Sequence, residues 1–453
     1  MNKRMKISLS TTQTIMLSFL LLIVLGSLLL SLPFSTKSGE SVGYLDALFT
    51  ATTATCVTGL VTLPTVTTWS AFGQIVILLL IQIGGMGTIT VISAVMIAIN
   101  RKMKISDYQL IQDSFNLNSF KDLVKMVKGV VKGTLLIELV GALLYMTVFV
   151  PEMGARGIWV SLFTSISAFC NAGIDIIAEN SLCSYALNPV VNGVSSALII
   201  LGGLGYIVWW DILRVVPMIK KQGISAIKRL TLHSKIVLTA TVALILGGGV
   251  LILAFEYNNP LTIGGYSFFD KLQVAFFQSV TTRTAGFASV PQENLTDATS
   301  IICLLLMFIG GSPVGTAGGV KTTTVVVLIA TAIATIQNKN DVSLYNRNLS
   351  KQITRKAVAV VGMSFSIMFI STVLLSLVTD AGFMDVLYET VSATATVGLT
   401  RNLTPLLNAW GKIIIVCTMF LGRVGPISLA VAFGSKKESV NLIVNPTEDI
   451  SVG

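Results

Sequence analysis

Charged residues are scarce in this chain of 453 residues: they make up 11% of it, whereas a soluble globular protein carries about 25%. Hydrophobic residues reach 53%, and apolar runs of about 20 residues, long enough to span a ~30 Å hydrocarbon layer, recur along the whole chain. This composition excludes a water-soluble domain and predicts a multi-pass membrane protein. The first apolar run is too long for a secretory signal, so we interpret it as a retained helix.

Cysteine and histidine are also rare. The five cysteines have no paired ligand spacing, which argues against a zinc site or a disulfide framework. The one histidine, His233, lies in a basic loop before an apolar run, where we expect it to be solvated or interfacial. No catalytic acid, histidine-based or metal-ligand set is visible, so the sequence predicts that the chain is not an enzyme.

Nucleotide-binding motifs are missing as well. The stretch from Gly315 to Thr322 resembles a phosphate-binding loop, but Val320 separates the glycine from Lys321, and the Walker motif requires them to be adjacent. Without that motif, a phosphorylation motif or a large soluble domain, this chain is not expected to hydrolyse ATP or to carry a bound cofactor.

The net charge of +10 follows a pattern expected of a membrane protein, since 23 of the 31 basic residues fall in alternate gaps between the apolar runs. The positive-inside rule then places both termini in the cytoplasm. We therefore expect the basic residues to face anionic lipid and not nucleic acid.

Four short polar segments interrupt the hydrophobic pattern, and each contains one glycine in the same setting. These glycines are separated by 114, 113 and 112 residues, and an aromatic residue precedes each of them by ten positions. The glycines are Gly59, Gly173, Gly286 and Gly398, and the aromatic residues are Phe49, Phe163, Phe276 and Tyr388. Such regular spacing indicates four copies of one unit.

A second cluster of small residues follows each glycine by about 25 residues, inside an apolar run. The clusters are IGGMG at 83-87, LGGLG at 201-205, IGGSPVG at 309-315 and LGRVG at 421-425. In the first two, the glycines are interpreted as sites of close helix packing.

The predicted fold is an all-α integral membrane protein with four tandem helix, pore-loop, helix (M1-P-M2) repeats around a pseudo-fourfold central pore, as in potassium channels. The repeats are expected at 12-100, 130-217, 236-336 and 357-434, joined by cytoplasmic linkers at 101-129, 218-235 and 337-356 and flanked by cytoplasmic ends at 1-11 and 435-453. Eight spans, two per repeat, agree with two cytoplasmic termini.

Each polar segment has to enter the membrane from outside and return outside, which predicts a re-entrant loop that lines a shared pore. Backbone carbonyls in such loops can replace the hydration shell of K⁺, and glycine permits the required backbone angles. The predicted K⁺ selectivity filter consists of Val57, Thr58 and Gly59; Asn171, Ala172 and Gly173; Thr284, Ala285 and Gly286; and Thr396, Val397 and Gly398. The half-helices before them would direct their negative ends at the cation.

The third inner segment is dense in glycine and proline at 310-324, which predicts a break near mid-membrane. Small residues there could block or clear the pore. The predicted gate comprises Gly310, Gly311, Ser312, Pro313, Gly315, Thr316, Ala317, Gly318, Gly319 and Lys321.

Arg423 occupies the position where the other clusters have glycine. A guanidinium in mid-span costs about 2.5 to 3.5 kcal/mol to insert, so it is expected to face the pore or a carboxylate. Facing the pore is the favoured interpretation, and an ion pair with Glu138, which also lies in an apolar run, is the alternative.

Four features carry a resemblance to a known family: the single glycine in each loop, the stretch GGSPVGTAGGVKTTT, the stretch LGRVGP and the ending VNPTEDISVG. On these features the whole chain resembles the Trk/Ktr/HKT superfamily of potassium transporters. It looks most like the membrane subunit (KtrB) of bacterial Ktr systems. The resemblance implies K⁺ uptake through a bacterial plasma membrane, a filter less selective than that of simple potassium channels, an intramembrane gate at 310-324 and a cation barrier at Arg423.

The resemblance further implies a homodimer on a cytosolic nucleotide-binding ring of RCK type, with ATP or ADP bound to that ring, and Na⁺ as an activator. The membrane potential, worth about 2.3 kcal/mol per 100 mV for one charge, suffices to drive uptake. The alternative is an alternating-access carrier for another cation or small solute, but it would predict inverted halves, whereas these four units share one orientation.

Overall fold

The structure, a computed structural model, describes residues 11–99, 123–339 and 341–425. Nearly all regular structure in these ranges is helical, apart from a hairpin in which Ser343–Leu344 pairs with Arg347–Asn348. Residues 1–10, most of the predicted linker 101-129 and the predicted tail 435-453 lie outside the described residues, as does the end of the fourth repeat.

The four outer helices are long and apolar, and they form the periphery. They are Thr11–Leu30, Leu123–Met153, Leu232–Glu256 and Lys351–Ser376, numbered outer helices 1 to 4. Their most apolar windows have mean hydropathies of 2.0 to 2.6 and are only 22% to 33% buried. Helices of this length can cross the hydrocarbon layer, and their exposed apolar sides suit contact with lipid.

Four shorter helices lie inside this ring. Pore helices 1 to 4 are Tyr44–Cys56, Ala155–Cys170, Phe268–Thr281 and Phe383–Ala395. At 1.5 Å per residue they are too short to cross a bilayer. Their C-terminal halves are almost fully buried although rich in threonine and serine. Each therefore enters the protein and stops inside it, as a re-entrant segment does.

Three of the four inner helices are broken within the described residues. Inner helix 1 consists of Ala71–Met86 and Thr88–Ala98, and inner helix 2 of Pro189–Leu204 and Tyr206–Gln222, with bends of 95° and 98°. Inner helix 3 consists of Asp297–Phe308 and Thr322–Ile336, and inner helix 4 is described over Ala409–Val424. Breaks thus occur in the first two inner segments as well as in the third, where the sequence predicts one.

A recurring pair of glycines causes these breaks. The second glycine of each pair, Gly87, Gly205 or Gly425, ends its helix with φ of +85° to +88°, a conformation that side chains disfavour. The first glycine of each pair lies three residues before the second. It packs directly on a backbone carbonyl of a pore helix, that of the residue four positions before the pore glycine. These contacts join Gly84 to Thr55, Gly202 to Phe169 and Gly422 to Thr394. The clusters thus both pack helices closely, as predicted, and bend them.

Short helical turns complete the loops between these elements. They are Pro33–Ser35, Thr65–Thr68, Cys183–Tyr185, Gly223–Arg229, Gln292–Asn294 and Thr404–Leu406. The predicted all-α membrane fold with pore-loop repeats is confirmed.

Candidate functional site

The four pore glycines meet in one ring. A Cβ atom built on Gly59 would lie 2.6 Å from the carbonyl oxygen of Ala172, and one on Gly173 would lie 2.6 Å from that of Ala285. The same clash recurs for the other two glycines, always with the residue before the glycine of the next unit. The remaining pairs are Gly286 with Val397 and Gly398 with Thr58. The fourth unit thus returns to the first, and the four loops close around a single axis.

Each loop holds the same unusual backbone conformation two residues before its glycine. These four residues have φ between +51° and +66° although none is glycine, and such a conformation costs about 1–2 kcal/mol per residue. They are Val57, Asn171, Thr284 and Thr396. Strain repeated at one position in four loops is typical of a functional backbone arrangement.

Hydroxyl groups from the pore helices hold three of the loops in place. Thr53 Oγ1 accepts a hydrogen bond from Gly59 N at 2.9 Å, and Ser392 Oγ accepts one from Gly398 N at 3.0 Å. In the second unit Ser167 Oγ accepts from the amide after the glycine, at 3.2 Å. These bonds fix the loop backbones without using their carbonyl oxygens, which stay available to a ligand.

The third unit departs from the others by one residue. The aromatic side chain buried in pore helix 3 is Phe277, while Phe276, predicted to be the equivalent of Phe49, is 37% exposed. Likewise Thr281, five residues before its glycine, donates to the carbonyl of Phe287 at 2.7 Å, whereas Thr53 lies six residues before its own. The predicted alignment of the third aromatic residue is therefore wrong, because the segment from the buried aromatic residue to the pore glycine is one residue shorter in this unit.

All twelve residues of the predicted filter are buried and lie in the ring. The hydroxyls of Thr58, Thr284 and Thr396 have no hydrogen-bond partner in the protein. Among the described residues no cluster of histidine, cysteine, aspartate and glutamate could hold a metal ion. Any ion at the ring would therefore be coordinated by backbone carbonyls and hydroxyls, which are ligands suited to alkali cations.

Residues 310–321, here called the intramembrane loop, connect the two halves of inner helix 3. The loop is closed at its base, where Gly310 N donates to Val320 O at 3.0 Å and Val320 N donates to Phe308 O at 3.1 Å. The predicted gate residues from Gly310 to Lys321 are thus brought together in one compact loop.

The intramembrane loop is docked against inner helix 2 where that helix breaks. Ser312 N donates to Gly203 O at 2.9 Å, Thr316 N to Gly202 O at 3.1 Å, and Tyr206 N to Val314 O at 3.0 Å. These bonds use backbone groups that the break at Gly205 leaves without helical partners.

The same loop also touches the underside of the glycine ring. Thr316 Oγ1 donates to the carbonyl of Phe169 at 3.1 Å and lies beside the side-chain amide of Asn171. A Cβ built on Gly318 would collide with the side chain of Thr396 and lie 2.7 Å from Ala395 O. The loop therefore lies directly under the second and fourth pore loops.

Two positively charged side chains donate hydrogen bonds to carbonyls of this loop. Arg423 Nη1 donates to Thr316 O at 2.7 Å and its Nη2 to Gly84 O, while Lys321 Nζ donates to Ala317 O at 2.6 Å. Arg423 thus ties the loop to inner helix 1. Glu138 instead accepts a hydrogen bond from Gln82 at 3.1 Å, and no ion pair between Glu138 and Arg423 occurs in the described part of the chain. The alternative assignment of Arg423 to Glu138 is wrong.

A cavity of about 420 Å³ opens below the loop. Its walls include Lys321, Arg423 and the loop residues 314, 315 and 317–320, along with residues 15 and 19 of outer helix 1 and residues 360, 364 and 367 of outer helix 4. The order along the axis is glycine ring, intramembrane loop, cationic cavity.

An ion pair joins the last unit to the first and was missed in the sequence. Lys412 Nζ, in inner helix 4, lies 2.5 Å from Asp46 Oδ1 of pore helix 1, with both side chains mostly buried. The two residues are 366 positions apart, so no local pattern could reveal the pairing.

We predict that Asp46→Ala lowers the free energy of unfolding by about 1–2 kcal/mol, between the values for exposed and fully buried ion pairs. The thermal midpoint in detergent measures this. The charge-swapped variant, Asp46→Lys with Lys412→Asp, should recover most of the loss. If the losses of stability caused by Asp46→Lys and by Lys412→Asp simply added in the charge-swapped variant, the ion pair would not link these units energetically.

Comparisons with known proteins agree with this geometry. The family model described as "TrkH: Cation transport protein" matches residues 3–443. The "Potassium/sodium uptake protein NtpJ" of Enterococcus hirae is 37% identical over 100% of this chain and 99% of its own. "Ktr system potassium uptake protein B" is 37% identical in Bacillus subtilis, over 94% of both chains, and 34% identical in Vibrio alginolyticus, over 100% and 97%.

Among solved structures, the potassium transporter TrkH of Vibrio parahaemolyticus matches with a TM-score of 0.74. It covers 95% of this chain and 86% of that chain at 16% identity, which shows the shared fold. The resemblance to the Trk/Ktr/HKT superfamily is confirmed, and the prediction of a multi-pass membrane transporter agrees with the relatives. The chain belongs to the TrkH family of cation transport proteins.

Proposed function

We propose that this chain is the pore-forming subunit of a Ktr-type potassium uptake system. The closed ring of four pore loops carries the proposal, because each loop directs a strained backbone and a carbonyl-bearing residue to one axis. The names of the relatives, which take up potassium or potassium and sodium, support K⁺ as the ion. The twelve residues predicted for the filter would coordinate it through their backbone carbonyls.

The intramembrane loop acts as the gate. It lies between the ring and the cavity, and Lys321 and Arg423 place two positive charges on its cytoplasmic side. A permeating cation therefore meets both a steric and an electrostatic obstacle. Opening requires the loop to leave inner helix 2 and Arg423.

The remaining assignments follow from membership of a Ktr-type system. The chain forms a homodimer in a bacterial plasma membrane, with both termini in the cytoplasm and the four repeats bounded as predicted above. A cytosolic RCK-type ring that binds ATP or ADP controls the gate, and Na⁺ activates transport. The names of the relatives as "Ktr system" proteins support a multi-component assembly.

Uptake driven by the membrane potential is the test of this function. Everted or right-side-out vesicles with an inside-negative potential of 100 mV should accumulate K⁺ up to about 50-fold, since one charge gains about 2.3 kcal/mol. A protonophore should abolish the accumulation. Vesicles without the chain are the control, and accumulation that survives loss of the potential would refute a potential-driven pore.

A further inference from the structure

The structure describes all four segments that join the end of a pore helix to its pore glycine. Arg283 is the one charged residue in these segments. Three residues before their glycines, the other units have Cys56, Cys170 and Ala395. The mechanism described so far does not use this arginine. A buried ionisable residue inside a membrane protein is costly and points to a function.

The surroundings of Arg283 are apolar. The residue is 7% exposed, and it borders a void of about 10 Å³ lined by Ile199, Ile200, Gly203, Ile245, Val280 and Gly311. Such a void holds at most one water molecule. No ion pair of Arg283 occurs within the described ranges, so no carboxylate offsets its charge there.

The hydrogen bond of the guanidinium goes to the intramembrane loop. Arg283 Nη2 donates to the carbonyl oxygen of Gly310, the first residue of that loop, at 3.4 Å, while Nε has no partner. The amide of Gly310 is already bonded to Val320 O. Arg283 thus holds the base of the loop, whereas Arg423 holds its middle, at Thr316.

We propose that Arg283 is a positioning residue that couples the third pore loop to the gate. Removing the Gly310 carbonyl would leave a guanidinium in an apolar pocket with no protein acceptor, and an unpaired buried charge is strongly unfavourable. Gly310 is therefore the fixed end of the intramembrane loop, and movement begins at Gly311. Because Arg283 is next to Thr284 in the ring, the same hydrogen bond joins the fixed end of the loop to the filter. This inference rests on the proposed K⁺ conduction.

The test is K⁺ flux into proteoliposomes that contain the full chain alone. Arg283→Gln should raise the flux per inserted protein about tenfold, because a hydrogen bond from a charged donor that holds the closed loop is lost. Arg283→Lys, which keeps the charge with fewer donors, should lie between the wild type and Arg283→Gln. If Arg283→Gln fails to insert, the lysine variant alone decides, and a wild-type flux from it refutes the coupling.

Lys271→Gln is the matched control. Lys271 is in pore helix 3, which leads into the loop that carries Arg283. It is also 7% exposed and also donates to a backbone carbonyl, that of Tyr257 at 2.7 Å, but it does not bond to the intramembrane loop. Its substitution should leave the flux unchanged. Equal effects of Lys271→Gln and Arg283→Gln would mean that Arg283 merely stabilises pore helix 3, and would overturn the proposal.

A second readout follows the loop directly. A cysteine introduced by Ser312→Cys should react about tenfold faster with a membrane-impermeant thiol reagent when Arg283→Gln is also present, since the same hydrogen bond restrains the loop. An unchanged rate would contradict the proposal. If neither the wild type nor Arg423→Ala conducts K⁺, the proposed function fails. If they conduct and Arg283→Gln behaves as the wild type, only this inference fails.

Discussion

Gly398→Ser is expected to reduce the preference for K⁺ over Na⁺ by at least about tenfold, which corresponds to a loss of about 1.4 kcal/mol in differential binding. Gly398 has φ of +100°, and a Cβ there would collide with the carbonyl oxygen of Thr58 and lie 2.8 Å from the Cα of Gly59. The serine side chain therefore displaces the backbone of the neighbouring unit, where K⁺ coordination is proposed. Competition between K⁺ and Na⁺ in a flux assay measures the preference.

The control for this prediction separates backbone strain from damage to the ring. Gly39 also has a positive φ, +75°, but a Cβ on it would meet nothing within 4 Å. Gly39→Ser should therefore reduce stability slightly and leave ion preference intact. Because the clashes run cyclically through the four units, Gly59→Ser should resemble Gly398→Ser. Wild-type preference in both ring variants would remove the filter from these loops.

The ring was predictable because its signal is local and repeated. Each pore glycine lies in a short polar stretch between apolar runs, and the near-equal spacing of Gly59 and Gly173 with their two later equivalents indicates one unit copied four times. Four glycines that occupy the same place in a repeated unit must meet if the units surround an axis. The break at the intramembrane loop was predictable for a similar reason, since glycine and proline at 310–321 cannot continue a helix.

Other features depend on contacts between distant segments. The sequence LGGLG is compatible with a straight, closely packed helix. It bends at Gly205 because the intramembrane loop bonds to the amide of Tyr206 and packs its Pro313 carbonyl against Gly205. The one-residue shift at Phe277 was equally hidden, because Phe276 is also aromatic and fits the spacing of the other units. A signal for Arg283 was present, as a lone charge in an uncharged polar stretch, but its partner Gly310 could not be inferred without the fold.

Arg423→Ala is expected to raise K⁺ flux through the chain alone by at least about tenfold, since hydrogen bonds to charged donors contribute about 1.5–3 kcal/mol each. The substitution releases the carbonyls of Thr316 and Gly84, which the guanidinium joins, and removes a positive charge from the wall of the cavity. Both changes favour the open path for a cation. Flux into proteoliposomes, normalised to inserted protein, measures the effect.

Two further variants assign the cause. Arg401 belongs to the same unit and is also held by several bonds, to Asp385 Oδ1 at 2.8 Å and Ser300 Oγ at 2.8 Å, but it does not line the cavity. Arg401→Ala should therefore lower stability without raising flux. Arg423→Lys keeps the charge, but its ammonium lacks the planar fork that binds two carbonyls at once, so its flux should lie between those of the wild type and Arg423→Ala. If the flux of Arg423→Lys equals that of the wild type, charge alone is the barrier. If it equals that of Arg423→Ala, the bond between loop and helix accounts for the whole effect. No increase of flux in either variant would show that Arg423 does not hold the gate closed.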